Sequence, residues 1–308
     1  MLCRWRQLAR RRAARKTDRL RAGGLKPQWL LLAGRCTNPP RTAPEPTTLT
    51  SIRPPDHAFW ADPFVWCRNG RCWVFFEDYR YSTGTGCISA IELDAGLRPV
   101  GEAVTVLQGP DHLSYPYLIE WEGDLYMVPE KAHSGSLDAY RCVDFPRRWE
   151  HTCTLMRGER IADASLFPHQ GRWWLLAAVK RRGLQLSESL FAFYADRPLS
   201  AHWTPHQANP IVRDFSRARP AGRILRDDPD RLLRPSQDCV PRYGHGLNLS
   251  EILELSPSRY HERLIWHRSG EEMGGWQGLH HMDWHQGILV MDAQRLRRKD
   301  KAPDEISI

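Results

Sequence analysis

The 308-residue chain has eight cysteines but no Cys-x-x-Cys pair, so a zinc knuckle or a thioredoxin-type site has no ligands at workable spacing. Long apolar runs are also missing. Trp29-Leu-Leu-Leu-Ala33 is far short of the roughly 20 residues a membrane-spanning helix needs, lacks the layout of a secretory signal, and reads as a strand. No extended stretch repeats apolar residues at 3.6-residue spacing, which excludes a helical bundle. Outside residues 1–26 there is almost no net charge. Those residues hold ten of the 44 basic side chains and one of the 36 acidic ones, so the formal charge of +8 belongs to a tail and the body is near neutral. A specific nucleic-acid partner is therefore not expected.

The tail, residues 1–27, is read as a flexible, solvated basic terminus whose charge permits weak contact with anionic membranes. It contains no serine, which argues against an organellar presequence, and the expected compartment is the cytoplasm. A second charged tail is expected over 294–308. The cysteines, at 3, 36, 67, 72, 87, 142, 153 and 239, are expected to be free, partly buried thiols. Cys67 and Cys72 flank an Asn69-Gly70 turn, so a cross-strand disulfide is the alternative there.

What the chain does contain is a repeated unit. Phe59-Trp-Ala-Asp-Pro-Phe-Val65 leads through Asn69-Gly70 into Cys72-Trp-Val-Phe-Phe-Glu77. The pattern returns at Ser114-Tyr-Pro-Tyr-Leu-Ile-Glu120 with Leu125-Tyr-Met-Val-Pro-Glu130, and again at Asp163-Ala-Ser-Leu-Phe-Pro168 with Trp173-Trp-Leu-Leu176. Each copy is a short apolar strand, a Gly-centred hairpin and a second apolar strand. Repetition at this period predicts an all-β, five-bladed β-propeller over 28–293. Blades are expected to start near Ala61, Leu113, Ile161, Arg234 and Gly278, with six blades as the structural alternative. Residues 209–230 read as an inserted loop. The strand at 29–34 is expected to complete the last blade and so close the ring.

Propellers line their axis with the innermost strand of each blade, so polar residues at the starts of those strands meet in one funnel. This gathers Asp62, Tyr115, Asp163, Gln237 with Asp238, and His280 with His281. Glu77, Glu130, Arg219 and Arg234 join as candidates at neighbouring strand ends and loops. Paired carboxylates suit acid–base work, while His, Gln and Arg suit hydroxyl or anion recognition. Asp before Pro also starts turns, and strand-end acids also cap backbone, so each residue has an ordinary structural reading as well. His281, Asp283 and His285 fall on one face of a strand and are too spread along it to converge on one ion; neither a metal nor a cofactor is expected. Most tryptophans among Trp60, Trp66, Trp73, Trp121, Trp173 and Trp174 read as packing between blades, with one or two at the funnel rim available to stack on sugar rings.

Taken in order, Ala61-Asp-Pro-Phe, Phe75-Phe-Glu-Asp78, His112-Leu-Ser-Tyr-Pro116, Tyr126-Met-Val-Pro-Glu130, Asp163, Arg219-Pro-Ala-Gly222 and Arg234-Pro-Ser-Gln-Asp-Cys239 resemble the N-terminal domain of the glucosamine inositolphosphorylceramide transferases. That domain in turn is similar to the five-bladed arabinanase, xylosidase, invertase and levansucrase enzymes. The resemblance implies a carbohydrate ligand or substrate in the funnel, with Asp62 as base or nucleophile and Asp163 as an orienting carboxylate. The proton donor would be Glu130 or Asp238, since the fourth blade has no Glu at the expected place. Glu77, Tyr115, Arg219, Arg234, Gln237, His280 and His281 would bind the sugar. A non-catalytic, glycan-binding accessory module is the alternative.

Overall fold

The computed structural model describes residues 25–131, 134–228 and 231–298. They form five antiparallel sheets arranged as the blades of a β-propeller. The first blade comprises Ala58–Arg68, Arg71–Arg80, Thr85–Leu93 and Pro99–Leu107; the second comprises Leu113–Trp121, Asp124–Lys131, Ser136–Asp144 and Arg148–Arg157. The third is built on Ile161–His169, Arg172–Val179 and Ser189–Ala195, edged by two two-residue strands. In the fifth, Met282–His285 and Ile288–Arg298 from the end of the chain pair with Leu25–Arg35 and Thr50–Ile52 from its beginning. The closing ladder runs from Leu25 opposite Arg298 to Arg35 opposite Ile288. It thus extends past both tail boundaries drawn from the sequence, at 27 and 293. Charged side chains project from the faces of a ladder and leave its backbone groups free to pair; Lys26 is exposed, Arg295 is hydrogen-bonded to Gln28 and Arg297 is paired with Asp56. Most of the basic tail, residues 1–24, lies outside the described residues, as do those beyond 298.

The fourth blade corrects the sequence reading. Its strands are Leu225–Asp228, Arg231–Asp238, Gly246–Leu255 and Tyr260–Ser269. Arg234-Pro-Ser-Gln-Asp238 is therefore its second strand. The innermost position belongs to 219–228, the stretch read as an inserted loop. Pro220 bridges Ser236 across the pair, and the Gln237 N–H donates to the Arg219 carbonyl at 2.9 Å. Arg-Pro-Ala-Gly-Arg carries neither alternation nor a continuous apolar run, so nothing in it announces a strand.

Core side chains fill the spaces between blades. Trp60, Trp66, Trp73 and Trp174 are buried there, whereas Trp121 and Trp173 are half-buried and meet edge-on at 5.4 Å. The Asn69-Gly70 turn has both residues at positive φ, 52° and 74°, the geometry of a two-residue hairpin. It sets Cys67 directly opposite Cys72 with Cα atoms 4.1 Å apart, and the two are joined in a disulfide. That corrects the expectation of free thiols at this pair. Cys36, Cys87, Cys142, Cys153 and Cys239 are free. No helix of the described residues is long and apolar enough to cross a membrane.

Candidate functional site

Three innermost strands begin with the same backbone kink. Asp62, Tyr115 and Asp163 have φ of 52°, 47° and 53°, each within a register shift, at Ala61/Phe64, Ser114/Tyr117 and Ala162/Ser165. A left-handed non-Gly residue costs about 1 kcal/mol or more. Three in register mark a built feature, a bulge that breaks the ladder and re-aims one side chain per blade. N–H groups on these strands that find no partner within the sheet are taken up by buried acids. Asp62 N–H donates to Asp292 Oδ2 at 3.0 Å and Val65 N–H to Asp283 Oδ2 at 2.9 Å. Asp163 N–H donates to Glu130 Oε2 at 3.3 Å.

Above the kinks lies a cleft of about 280 Å³, whose walls include Asp62, Glu77, Glu130, Asp163, Arg219 and His280. Six of the eleven candidate residues therefore converge. On one side, Arg219 donates from Nε to Asp163 Oδ2 at 2.6 Å, and its Nη2 stands 3.9 Å from Glu130. Glu130 lies on the second strand of its blade, opposite Ser114. Burial, reinforced by the neighbouring Asp163, pushes its carboxyl well above the usual range, against the pull of Arg219. On the other side, His280 Nδ1 meets Asp292 Oδ2 at 2.6 Å and its Nε2 faces Asp62 Oδ1 at 3.5 Å. Burial disfavours the imidazolium, but Asp292 and then Asp62 outweigh it, and His280 is raised to about 9. Asp62 is pushed well above its ordinary value by burial and by Glu77, Asp163 and Asp292, with His280 pulling the other way.

The remaining candidates fall elsewhere, for identifiable reasons. Arg234 and Asp238 sit on a second strand, one layer out from the axis. Arg234 is locked to Glu262 through two 2.7 Å hydrogen bonds, while Asp238 accepts from Val240 N–H and pairs with His267 at 3.0 Å. Gln237 reaches the cleft only indirectly, its amide donating to Pro220 O at 3.2 Å and Asp163 Oδ2 at 3.4 Å. Tyr115 is fully buried, with its hydroxyl between Ser165 Oγ and Gly222. His281 packs edge-on against Phe64 and Tyr115 in the axis, where burial lowers its pKa to about 3.

The axis itself is plugged by 219–223. Ala221 O accepts from Met282 N–H, and Gly222 O accepts from Ser165 Oγ at 2.9 Å. Below them, Arg223 donates to both oxygens of Asp283, at 2.9 and 3.3 Å, and to Leu118 O at 2.8 Å. This segment delivers Arg219 to the cleft and Arg223 to the opposite half of the channel.

Several site residues were not singled out from the sequence. His112 accepts Gly86 N–H on Nδ1 at 2.9 Å, leaving Nε2–H to donate to Glu77 at 3.1 Å. Trp29 stacks on His280 at 4.1 Å, and Phe59, Arg160 and Tyr243 complete the walls. Of these, only His112 had a signal, its place in the His112-Leu-Ser-Tyr-Pro116 motif. Among the described residues, one group has metal-ligand character: Asp62, His280 and Asp292 bring ligand atoms within 4.8 Å of one another. It does not fit a cation. Asp292 Oδ1 accepts the N–H groups of His280 and His281 at 3.0 Å each, and Oδ2 is shared by Asp62 N–H and the His280 ring.

Comparison with known proteins fits this architecture. The family model described as glucosamine inositolphosphorylceramide transferase 1, N-terminal, matches residues 40–296. Glucosamine inositolphosphorylceramide transferase 1 of Oryza sativa subsp. japonica is 32% identical over 256 residues, covering 79% of this chain and 34% of the relative. Its Arabidopsis thaliana counterpart is 32% identical over 236 residues, covering 73% and 30%. The chain thus spans about a third of the length of these relatives. Among solved structures, the catalytic domain of the Coprinopsis cinerea GH62 α-L-arabinofuranosidase superposes with a TM-score of 0.58 at 10% identity, covering 86% of this chain and 97% of that one. That likeness concerns the fold.

Proposed function

The chain belongs to the glucosamine inositolphosphorylceramide transferase 1 N-terminal family, and from that premise we propose that its funnel is a saccharide-binding cleft. The observation that carries this reading is the convergence of Asp62, Glu77, Glu130, Asp163, Arg219 and His280 beneath Trp29, Phe59 and Tyr243. A sugar offers hydroxyls that donate and accept in fixed directions and a C–H face that packs on aromatic rings. The cleft has counterparts to both. The relatives' names point to glycoconjugate chemistry, and the structural neighbour is named as an arabinofuranosidase.

A second reading, hydrolysis or transfer at a glycosidic bond, is favoured by the contrast between Glu130 and Asp163. The two acids are neighbours, yet burial raises Glu130 while the Arg219 guanidinium is hydrogen-bonded to Asp163. An acid whose proton burial makes harder to lose, set beside a carboxyl group oriented by an Arg, suits protonation of a leaving oxygen. Asp62 would be the base, its carboxylate form opposed by burial and favoured only by the His280 ring 3.5 Å away.

Calorimetry with a panel of mono- and oligosaccharides, run beside turnover of chromogenic glycosides, tests both. Asp163→Asn should weaken binding about tenfold or more, by releasing Arg219. Glu130→Gln should keep affinity within about threefold and, on the second reading, abolish turnover. Wild-type binding without turnover leaves the binding module; no saccharide bound at millimolar concentration sinks the whole assignment.

A further inference from the structure

The closing blade carries cations along the same end of the propeller as the cleft. Gln28, one residue before the cleft-lining Trp29, donates to Ala58 O at 2.7 Å, at the start of the first blade's innermost strand. Its Oε1 accepts two hydrogen bonds from Arg295, at 3.1 and 2.7 Å. Arg53 and Arg297 lie close enough to Arg295 to oppose its charge, and Lys26 sits in register opposite Arg297 and Leu25 opposite Arg298. Lys26, Arg53 and Arg298 are exposed. Asp56, paired with Arg297 at 3.4 Å, is the acid set among them.

This ridge runs into the wall of the cleft. The Arg297 guanidinium lies over the Tyr81 ring at 5.9 Å. Tyr81 in turn meets Tyr79 and Phe59 at 6.2 Å each, and Phe59 lines the cleft. Tyr81 is 37% exposed, and Tyr243 on the cleft wall is 45% exposed. The ridge is also where further charge joins the fold. The chain reaches Leu25 after a segment with nine Arg and Lys and one Asp, and continues past Arg298 as Lys-Asp-Lys.

We propose that this ridge is a docking surface for an anionic membrane, which it meets with the mouth of the cleft turned toward the lipid. Clustered Lys and Arg are drawn to an acidic leaflet, and tyrosine settles at the headgroup level, apolar ring inward and hydroxyl toward water. The two residue types meet here where Arg297 lies over Tyr81, and a second exposed tyrosine, Tyr243, stands on the wall of the cleft that the ridge runs into. The surface stands on its own geometry, whether or not the cleft binds a saccharide.

The test is co-sedimentation of the full chain with vesicles of phosphatidylcholine alone and of phosphatidylcholine with about one-fifth phosphatidylserine. Wild type should bind the acidic vesicles only. Each exposed cation contributes about fivefold, so Lys26→Gln/Arg53→Gln/Arg298→Gln should lose on the order of a hundredfold with the tail intact. The charge-preserving Lys26→Arg/Arg53→Lys/Arg298→Lys should bind like wild type, which separates charge from folding. Three results would overturn the proposal: equal binding to neutral vesicles, unchanged binding by the Gln variant, or tighter binding to an RNA homopolymer at the same salt.

Discussion

Replacing Arg223 by Leu isolates the plug in the lower channel. Asp283 is completely buried and receives two of its hydrogen bonds from that guanidinium. Without Arg223 it keeps backbone donors such as Val65 N–H but has no counter-charge. Breaking a buried pair by removing one partner costs about 3–5 kcal/mol, a large share of the roughly 5–15 kcal/mol that holds a folded domain. The loss has a pH signature. Burial already raises Asp283 above its ordinary value, and removing the cation raises it further. The folded variant would therefore bind the proton more tightly than the unfolded chain. Its stability would be greatest below the unfolded carboxyl pKa and would fall as pH rises through the higher folded value. Urea unfolding followed by tryptophan fluorescence should show the deficit at pH 7 and a smaller one near pH 4. Adding Asp283→Asn should recover most of it at neutral pH. A deficit below about 1 kcal/mol, or no recovery in the double variant, would refute the account of a charge pair bolting the channel.

Two further outcomes follow from the same geometry. Gly222 has φ of 135°, and a Cβ there would fall 1.8 Å from the Met282 carbonyl oxygen. Gly222→Ala should therefore displace the plug and destabilise the protein by more than about 3 kcal/mol, measured by thermal unfolding; a near-neutral effect would contradict the threading. The His280 imidazole should titrate near 9 by NMR and near its ordinary value or below in Asp292→Asn. A group raised in this way stabilises the fold below the unfolded His pKa, and that contribution should vanish as pH climbs through about 9.

The residues show why some of this was legible and some was not. Strands around Asp62, Tyr115 and Asp163 share one kink, and an identical backbone demand leaves similar words in the sequence. The blade count and the closure by the strand at 29–34 followed from those words. The fourth blade's inner strand makes a different demand. Its Arg219 and Arg223 are held by ion pairs and its Gly222 by steric room, and no pattern of apolar residues encodes either. Assigning the wrong strand carried Arg234 and Asp238 into a funnel they do not reach. Trp29, Tyr243 and Arg160 reach the cleft from a closing strand and two loops, positions set only by how blades pack. For Cys67 and Cys72 the turn specified the facing but not the bond.

The plug also says something about how the ring comes together. Its hydrogen bonds to Tyr115 and Ser165 span 107 and 57 residues of sequence, and its ion pair to Asp283 spans 60. None of these partners is in place until the second, third and fifth blades stand around a common axis, and the fifth needs the chain's beginning to meet its end. Contacts of such separation form late, after the entropy of closing the intervening loops has been spent. Residues 219–223 are thus seated late, as is the closing ladder, which joins still more distant parts of the chain, and a bond made after the barrier governs how slowly the assembled ring comes apart.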